Sequence, residues 1–179
     1  KLTNGDSIDL GAGDDYAAIM VTGNNGTPTI ANLSLAKLDG GDGTDTLSWG
    51  ESGSNTTELT LTTGGATNFE NIYGTSGTEV IKGDNNANVL KGGRGGTDTI
   101  YGYGGNDSLY GHGQDGDQYN DSSYTDGKTL YGGAGDDTLY GGYGADTLDG
   151  GTGTDTFTGG NAVDTFVTRL GNGSATLSE

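Results

Sequence analysis

GGAGDDTLY (132–140), GGYGADTLD (141–149), GGTGTDTFT (150–158) and GGNAVDTFV (159–167) follow one another without a gap. Three fit the pattern G-G-x-G-x-D-x-U-x, where U is a large apolar residue; the fourth carries Ala162 at position four. Six residues of turn-forming composition precede three of strand-forming composition in each copy. Glycine permits backbone angles that a Cβ forbids and lets turns stack closely. Alternation along a three-residue strand sends only the middle residue inward. The spacing therefore predicts a coil of short strands around a thin apolar core of Ile81, Leu90, Ile100, Leu109, Leu130, Leu139, Leu148, Phe157 and Phe166.

The same frame runs upstream with wear. GYGGNDSLY (102–110) and GGDGTDTLS (40–48) fit well. GTSGTEVIK (74–82) places Glu79 at the acidic position, GDNNANVLK (83–91) places Asn88 there, and GGRGGTDTIY (92–101) holds one extra residue before Asp98. LGAGDDYAA (10–18) brings Asp15 into frame, and the nine residues before it bring in Asp6 and Ile8. Two nonads are needed to return the chain, so turns on one edge are repeats n and n+2. Asp137 is expected to face Asp155, and Asp146 to face Asp164. With turn carbonyls, each pair makes an all-oxygen site for a hard cation. Ca²⁺, which accepts six to eight oxygens in flexible geometry, suits it better than Mg²⁺, which demands a strict octahedron. The acidic frame positions Asp6, Asp15, Asp45, Glu79, Asn88, Asp98, Asp107, Asp117, Asp137, Asp146, Asp155 and Asp164 are the candidate ligands. About 5–8 Ca²⁺ are expected from the number of paired turns and the oxygens each ion needs.

Composition agrees with a cation-dependent fold. The formal net charge is −18, 20 of the 25 acidic residues are Asp, and 39 of 179 residues are Gly. Asp is short, suits tight turns and holds a hard cation close to the backbone. Leu, Ile, Val and Phe make up only 16% of the chain, and with this charge that composition belongs to disordered chains unless the carboxylates are neutralised. Cysteine is absent, which excludes disulfides and thiolate metal sites. No apolar stretch reaches the ~18 residues of a membrane span. Scarce basic residues argue against binding nucleic acid or anionic membranes. The start at Lys1 without Met, with no apolar leader behind it, suggests a piece of a longer protein.

The tandem nonads resemble the RTX (repeats-in-toxin) family of secreted bacterial proteins. The resemblance covers most of 74–167 and, more thinly, 1–18 and 40–48. It implies an all-β fold, a right-handed parallel β-roll or solenoid with Ca²⁺ between stacked turns along both edges. It also implies export through a type I secretion channel and folding outside the cell, where calcium is plentiful. A chain this acidic and this poor in apolar residues is consistent with folding only when ions arrive.

The pattern breaks in three places. HGQDGDQYN (112–120) keeps Asp117 and Tyr119 in frame only after one inserted residue, and SYTDGKTLY (123–131) puts Lys128 where Asp belongs. Either the Lys128 ammonium replaces a Ca²⁺ there, or the side chain points to solvent and the turn is empty. Glu79 and Asn88 mark turns expected to bind loosely or stay empty. Residues 19–39 and 49–73 show no repeat, although TELTLTT (57–63) alternates like a strand and both segments could form longer rungs. The expected layout is an irregular N-terminal part (1–73), a regular roll (74–167) and a polar C-terminal tail (168–179).

Catalysis is not expected. His112 is the single histidine, so no H-E-x-x-H helix exists, and neither G-x-S-x-G nor a phosphate-binding G-x-x-x-x-G-K-[ST] occurs. The carboxylate pairs have calcium spacing rather than a glycosidase constellation. His112 reads as a surface residue and Trp49 as a packing residue. Tyr101, Tyr110, Tyr131 and Tyr140 all occupy position nine and read as a ladder of cross-rung packing, with sugar or peptide stacking as the other possibility. Three functions compete: a calcium-folded module of a large secreted or cell-surface protein, adhesin- or toxin-like; a carbohydrate- or peptide-recognition module; and an accessory domain of a secreted protease, lipase or alginate epimerase.

Overall fold

Nine residues per half-turn produce two strands per coil, and the strands lie as that count requires. The computed structural model describes residues 7–20, 37–50, 56–60, 66–112, 125–169 and 175–178. The N-terminal strands are β1 (Ser7–Asp9), β2 (Tyr16–Met20), β3 (Lys37–Asp39), β4 (Thr46–Gly50), β5 (Thr56–Thr60), β6 (Ala66–Thr67) and β7 (Asn71–Tyr73). The regular repeats supply β8 (Thr78–Lys82), β9 (Val89–Lys91), β10 (Thr99–Gly104), β11 (Ser108–Tyr110), β12 (Thr129–Ala134), β13 (Thr138–Gly142), β14 (Thr147–Thr152), β15 (Asp155–Gly160) and β16 (Thr165–Val167). A last strand, β17 (Ala175–Ser178), pairs with β15, so the C-terminal stretch read as a polar tail adds a further rung.

Consecutive strands alternate between two sheets. One has the order β16-β14-β12-β10-β8-β5 and the other β17-β15-β13-β11-β9-β7-β4-β2; β1, β3 and β6 form a third, three-stranded sheet. Neighbours pair in parallel, in the frame of the nonads: Leu130 lies opposite Leu148, and Leu139 opposite Phe157. Of the N-terminal strands, β2, β4 and β7 join the same eight-stranded sheet, since β4 pairs with β2 and β7, and β7 with β9, while β5 joins the six-stranded one. The fold is thus an all-β parallel roll, and no helix occurs among the described residues.

The core is a double column of side chains. Ile72, Ile81, Leu90, Ile100, Leu109, Leu130, Leu139 and Leu148 are fully buried, with Leu38, Leu47, Phe69 and Phe157 beside them. Phe166, expected in the column, is only partly buried and meets Phe157 edge-on at 5.9 Å. Flanking positions on the strands are half-exposed, as in the alternation of Ser108–Tyr110 and Val89–Lys91.

Each glycine of the nonad has its own reason. In the turn before β13, Gly133 and Gly135 adopt φ of +115° and +136°, the region that L side chains avoid. Gly132 has an ordinary φ, but a Cβ on it would lie 2.3 Å from Asp137 Oδ2 and 2.7 Å from the Gly150 carbonyl. The position-nine tyrosines stack on one another: Tyr101 on Tyr131 and Tyr110 on Tyr140, each at 4.9 Å and 6° between planes. Lys91 Nζ lies over the rings of Tyr73 and Tyr110. His112, expected at the surface, is half-buried with its ring edge-on to Tyr143 at 5.3 Å. The Trp49 side chain lies outside the described ones.

Candidate metal centre

Position six of each described nonad lies where a turn meets a strand, so an aspartate there points its side chain into the gap between stacked turns. The geometry repeats along both edges. On the edge leading into the eight-stranded sheet, main-chain N–H groups of position-six residues donate to the carboxylate of the next turn. Asp15 donates to Asp45 Oδ1 (2.8 Å), Asn88 to Asp107 Oδ1 (2.8 Å), Asp107 to Asp137 Oδ1 (2.9 Å) and Asp137 to Asp155 Oδ1 (3.1 Å). On the other edge, Glu79 N–H donates to Asp98 Oδ1 (2.9 Å), Lys128 N–H to Asp146 Oδ1 (2.7 Å) and Asp146 N–H to Asp164 Oδ1 (2.9 Å). The expected partners Asp137–Asp155 and Asp146–Asp164 are therefore stacked neighbours. The ladder holds across sequence separations of 18, 19 and 30 residues, so the inserted segments leave the row of acids intact. Asp6 and Asp117 lie outside the described residues.

One carboxylate oxygen is thereby used and the other is left over. Asp15, Asp45, Asp107, Asp137 and Asp146 each hold a buried Oδ2 with no hydrogen-bond partner. Burying such an oxygen as an anion is costly unless a donor or a cation satisfies it. The titration behaviour reflects that cost. Burial pushes Asp107 and Asp146 up to about 7 and Asp137 up to about 6; the N–H from the preceding turn opposes the shift, and the next acid in the row adds to it. Burial also raises Asp155 and Asp98, the latter against the pull of the Lys128 ammonium. Among the described residues no three His, Cys, Asp or Glu side chains converge on one point, so a cation between these turns would draw on main-chain carbonyls as well as the paired acids. Stacked carboxylates with free oxygens beside turn carbonyls fit a hard, oxygen-seeking ion of flexible coordination, and fit Ca²⁺ better than Mg²⁺.

The two departures from Asp behave differently. Glu79 is turned back on its own turn: Oε1 accepts from the Thr75 hydroxyl at 2.5 Å, Oε2 from the Thr75 N–H at 3.4 Å, and burial pushes the carboxyl up to about 7. Asn88 Oδ1 accepts from Asp84 N–H at 2.9 Å, which leaves its buried Nδ2 without a partner. Both side chains have their oxygens engaged within the turn.

Glu70 is a member of the row that the sequence reading passed over. Its Oε2 accepts from Asp45 N–H at 2.8 Å, placing it between Asp45 and Asn88 on the same edge. The signal was present: Glu70 and Ile72 stand nine residues before Glu79 and Ile81. The turn before it is shortened. Asn68, at φ +53°, packs its carbonyl beneath Gly40, and Phe69 fills the core. A glycine-free, shortened turn hides the repeat.

A family model described as the RTX calcium-binding nonapeptide repeat (4 copies) matches residues 73–95, 93–117, 129–157 and 140–174, just over half of the chain. The chain belongs to the RTX calcium-binding nonapeptide-repeat family. Neither a curated relative nor a solved structure matches it. The matched copies span the stretch in which the acid ladder is most regular, and RTX repeats are calcium-binding repeats. The RTX frame extends in three dimensions beyond the matched residues, through Glu70 and Asp45 to Asp15.

Proposed function

We propose that this RTX chain is a calcium-folded module of a larger secreted bacterial protein, adhesin- or toxin-like, with no catalytic centre of its own. The observation that carries the reading is the row of buried, unpartnered Oδ2 atoms between stacked turns. Each is a cost in the metal-free fold and a ligand in the loaded one. Ca²⁺ between Asp107 and Asp137, Asp137 and Asp155, Asp146 and Asp164, and Asp15 and Asp45 neutralises the repulsion and ties successive coils together. Ions that bind only the folded form stabilise it by mass action, and several sites make the response cooperative. A −18 chain with one apolar residue per rung depends on that contribution. It supports passage of an unfolded chain out of the cell, followed by folding in extracellular calcium. No helix among the described residues is long and apolar enough to cross a membrane.

The tyrosine ladder does not favour the recognition reading, because the rings of each pair cover one another at 4.9 Å. Ion counting tests the proposal. Native mass spectrometry of the EGTA-stripped chain, titrated with Ca²⁺ or Mg²⁺, is expected to show several bound Ca²⁺ and little Mg²⁺. Asp155→Ala is expected to bind fewer ions and to need more calcium to fold. Unchanged stoichiometry in Asp155→Ala, or no bound Ca²⁺ in the parent chain, would contradict it.

A further inference from the structure

Two irregularities of the repeat meet in space. The nonad at 92–101 carries one residue too many before Asp98, and the turn ending at residue 128 carries Lys in place of Asp. Thr99 lies opposite Thr129 in the parallel ladder, so these two turns are stacked neighbours on one edge.

Lys128 does not reach solvent. It is 2% exposed, and its Nζ lies 3.1 Å from Asp98 Oδ2, itself buried. The ammonium donates to the Gly95 carbonyl at 2.9 Å and also to the Gly96 carbonyl. Those carbonyls belong to the enlarged turn. The Lys128 stem runs beneath Gly111, where a Cβ would come within 2.8 Å of Lys128 Cγ. Its main chain keeps the ladder: the Lys128 N–H donates to Asp146 Oδ1 as an aspartate in that place would. A positive charge, one carboxylate oxygen and two turn carbonyls are thus assembled between two stacked turns. That is the kind of oxygen donor set the neighbouring turns offer to a metal ion.

We propose that Lys128 is a built-in cation: its ammonium permanently occupies the inter-turn site between residues 92–98 and 125–128, excludes Ca²⁺ from it, and joins β10 to β12 without metal. The extra residue of the 92–101 nonad and the lysine are one device, since the enlarged turn turns two carbonyls toward the ammonium. The device also sits at the start of β12, at the end of the long stretch of sequence that follows β11. A tether of the protein's own is useful there, because closing a longer loop costs more chain entropy. On this edge Glu79 is engaged by Thr75 and Asp98 by Lys128, so calcium is confined to the Asp146–Asp164 end. The opposite edge carries a continuous run from Asp107 through Asp137 to Asp155.

The inference rests on the calcium reading above, and the test separates the two. Bound Ca²⁺ is counted by native mass spectrometry on the full chain at saturating calcium, for the parent, for Lys128→Asp, and for Lys128→Asp combined with deletion of Gly96. The combined variant restores the nine-residue frame and two facing aspartates, and is expected to bind one more Ca²⁺ than the parent. Lys128→Met keeps the stem and removes the charge; its calcium midpoint for folding is expected to rise severalfold. In the folded parent chain, Lys128 is expected to resist an amine-acylating reagent that labels it readily in urea. Labelling of Lys128 in the folded chain at the urea rate would overturn the proposal. So would an unchanged ion count in the combined variant with an unchanged midpoint in Lys128→Met, while the parent still binds calcium. A parent chain that binds no calcium would instead overturn the reading beneath it.

Discussion

Ala162 stands where the RTX nonad asks for glycine, and its backbone shows why: φ is +78°, a region in which the Cβ crowds the backbone. It is exposed, so nothing in the packing compensates. Ala162→Gly is expected to raise stability by about 0.5–1 kcal/mol, the strain relieved less the greater freedom of the unfolded chain. Thermal melting in saturating calcium checks it; an unchanged or lower Tm would show that this turn tolerates a side chain. Tyr103 adopts a similar φ of +76° at position two, but its ring stacks on Tyr101, so replacing it would remove a contact along with the strain. At the acidic position the residue type decides the outcome. Asp presents an oxygen to the gap, Glu79 and Asn88 fold onto their own turns, and Lys128 supplies a charge of the opposite sign.

At the scale of the element, one rung contributes a single apolar side chain to each column. Leu139 is fully buried and paired in register between Leu109 and Phe157. Leu139→Ala is expected to cost about 2–5 kcal/mol, the range for a leucine cavity in a packed interior. Thr138→Ala, one residue away on the half-exposed face, is expected to cost far less. Calcium-dependent unfolding of the two variants separates a core column from a uniformly weak roll. The strands from β8 to β16 were legible in the sequence because position eight is apolar in frame and position six acidic in all but the nonads of Asn88 and Lys128, and the stacking of Asp137 on Asp155 follows from two nonads per coil. Glu70 was marked only by its nine-residue spacing from Glu79, because its turn is shortened and lacks the glycines that mark the others. β17 was not legible either: Ala175 occupies the place opposite Asp155, and nothing acidic marks it. The choice between a buried and a solvated Lys128 lay beyond sequence, since spacing fixes where a residue sits and not where a long side chain turns.

The whole molecule behaves as a polyanion wound on a narrow core. In the metal-free fold Asp107, Asp137 and Asp146 lie at about 6–7, above the ~3.9 of an unfolded aspartate. The folded form therefore holds protons that the unfolded form releases. Their contribution to stability is complete below about pH 4 and is lost as pH rises through about 6–7. In EGTA the chain is accordingly expected to gain β structure near pH 4.5 and to lose it by pH 8. Because protons and Ca²⁺ compete for the same oxygens, the calcium that half-saturates the sites is expected to be higher at pH 5.5 than at pH 8, although less of it is then required for folding. A metal-free far-UV spectrum independent of pH would contradict this. The central claim, that cations between stacked turns hold the RTX roll together, is tested most directly by far-UV circular dichroism of the metal-free chain at pH 8 during titration with Ca²⁺, with Mg²⁺ as the control. A steep, cooperative coil-to-β transition with Ca²⁺ alone is predicted; a full β spectrum before any calcium is added would contradict it.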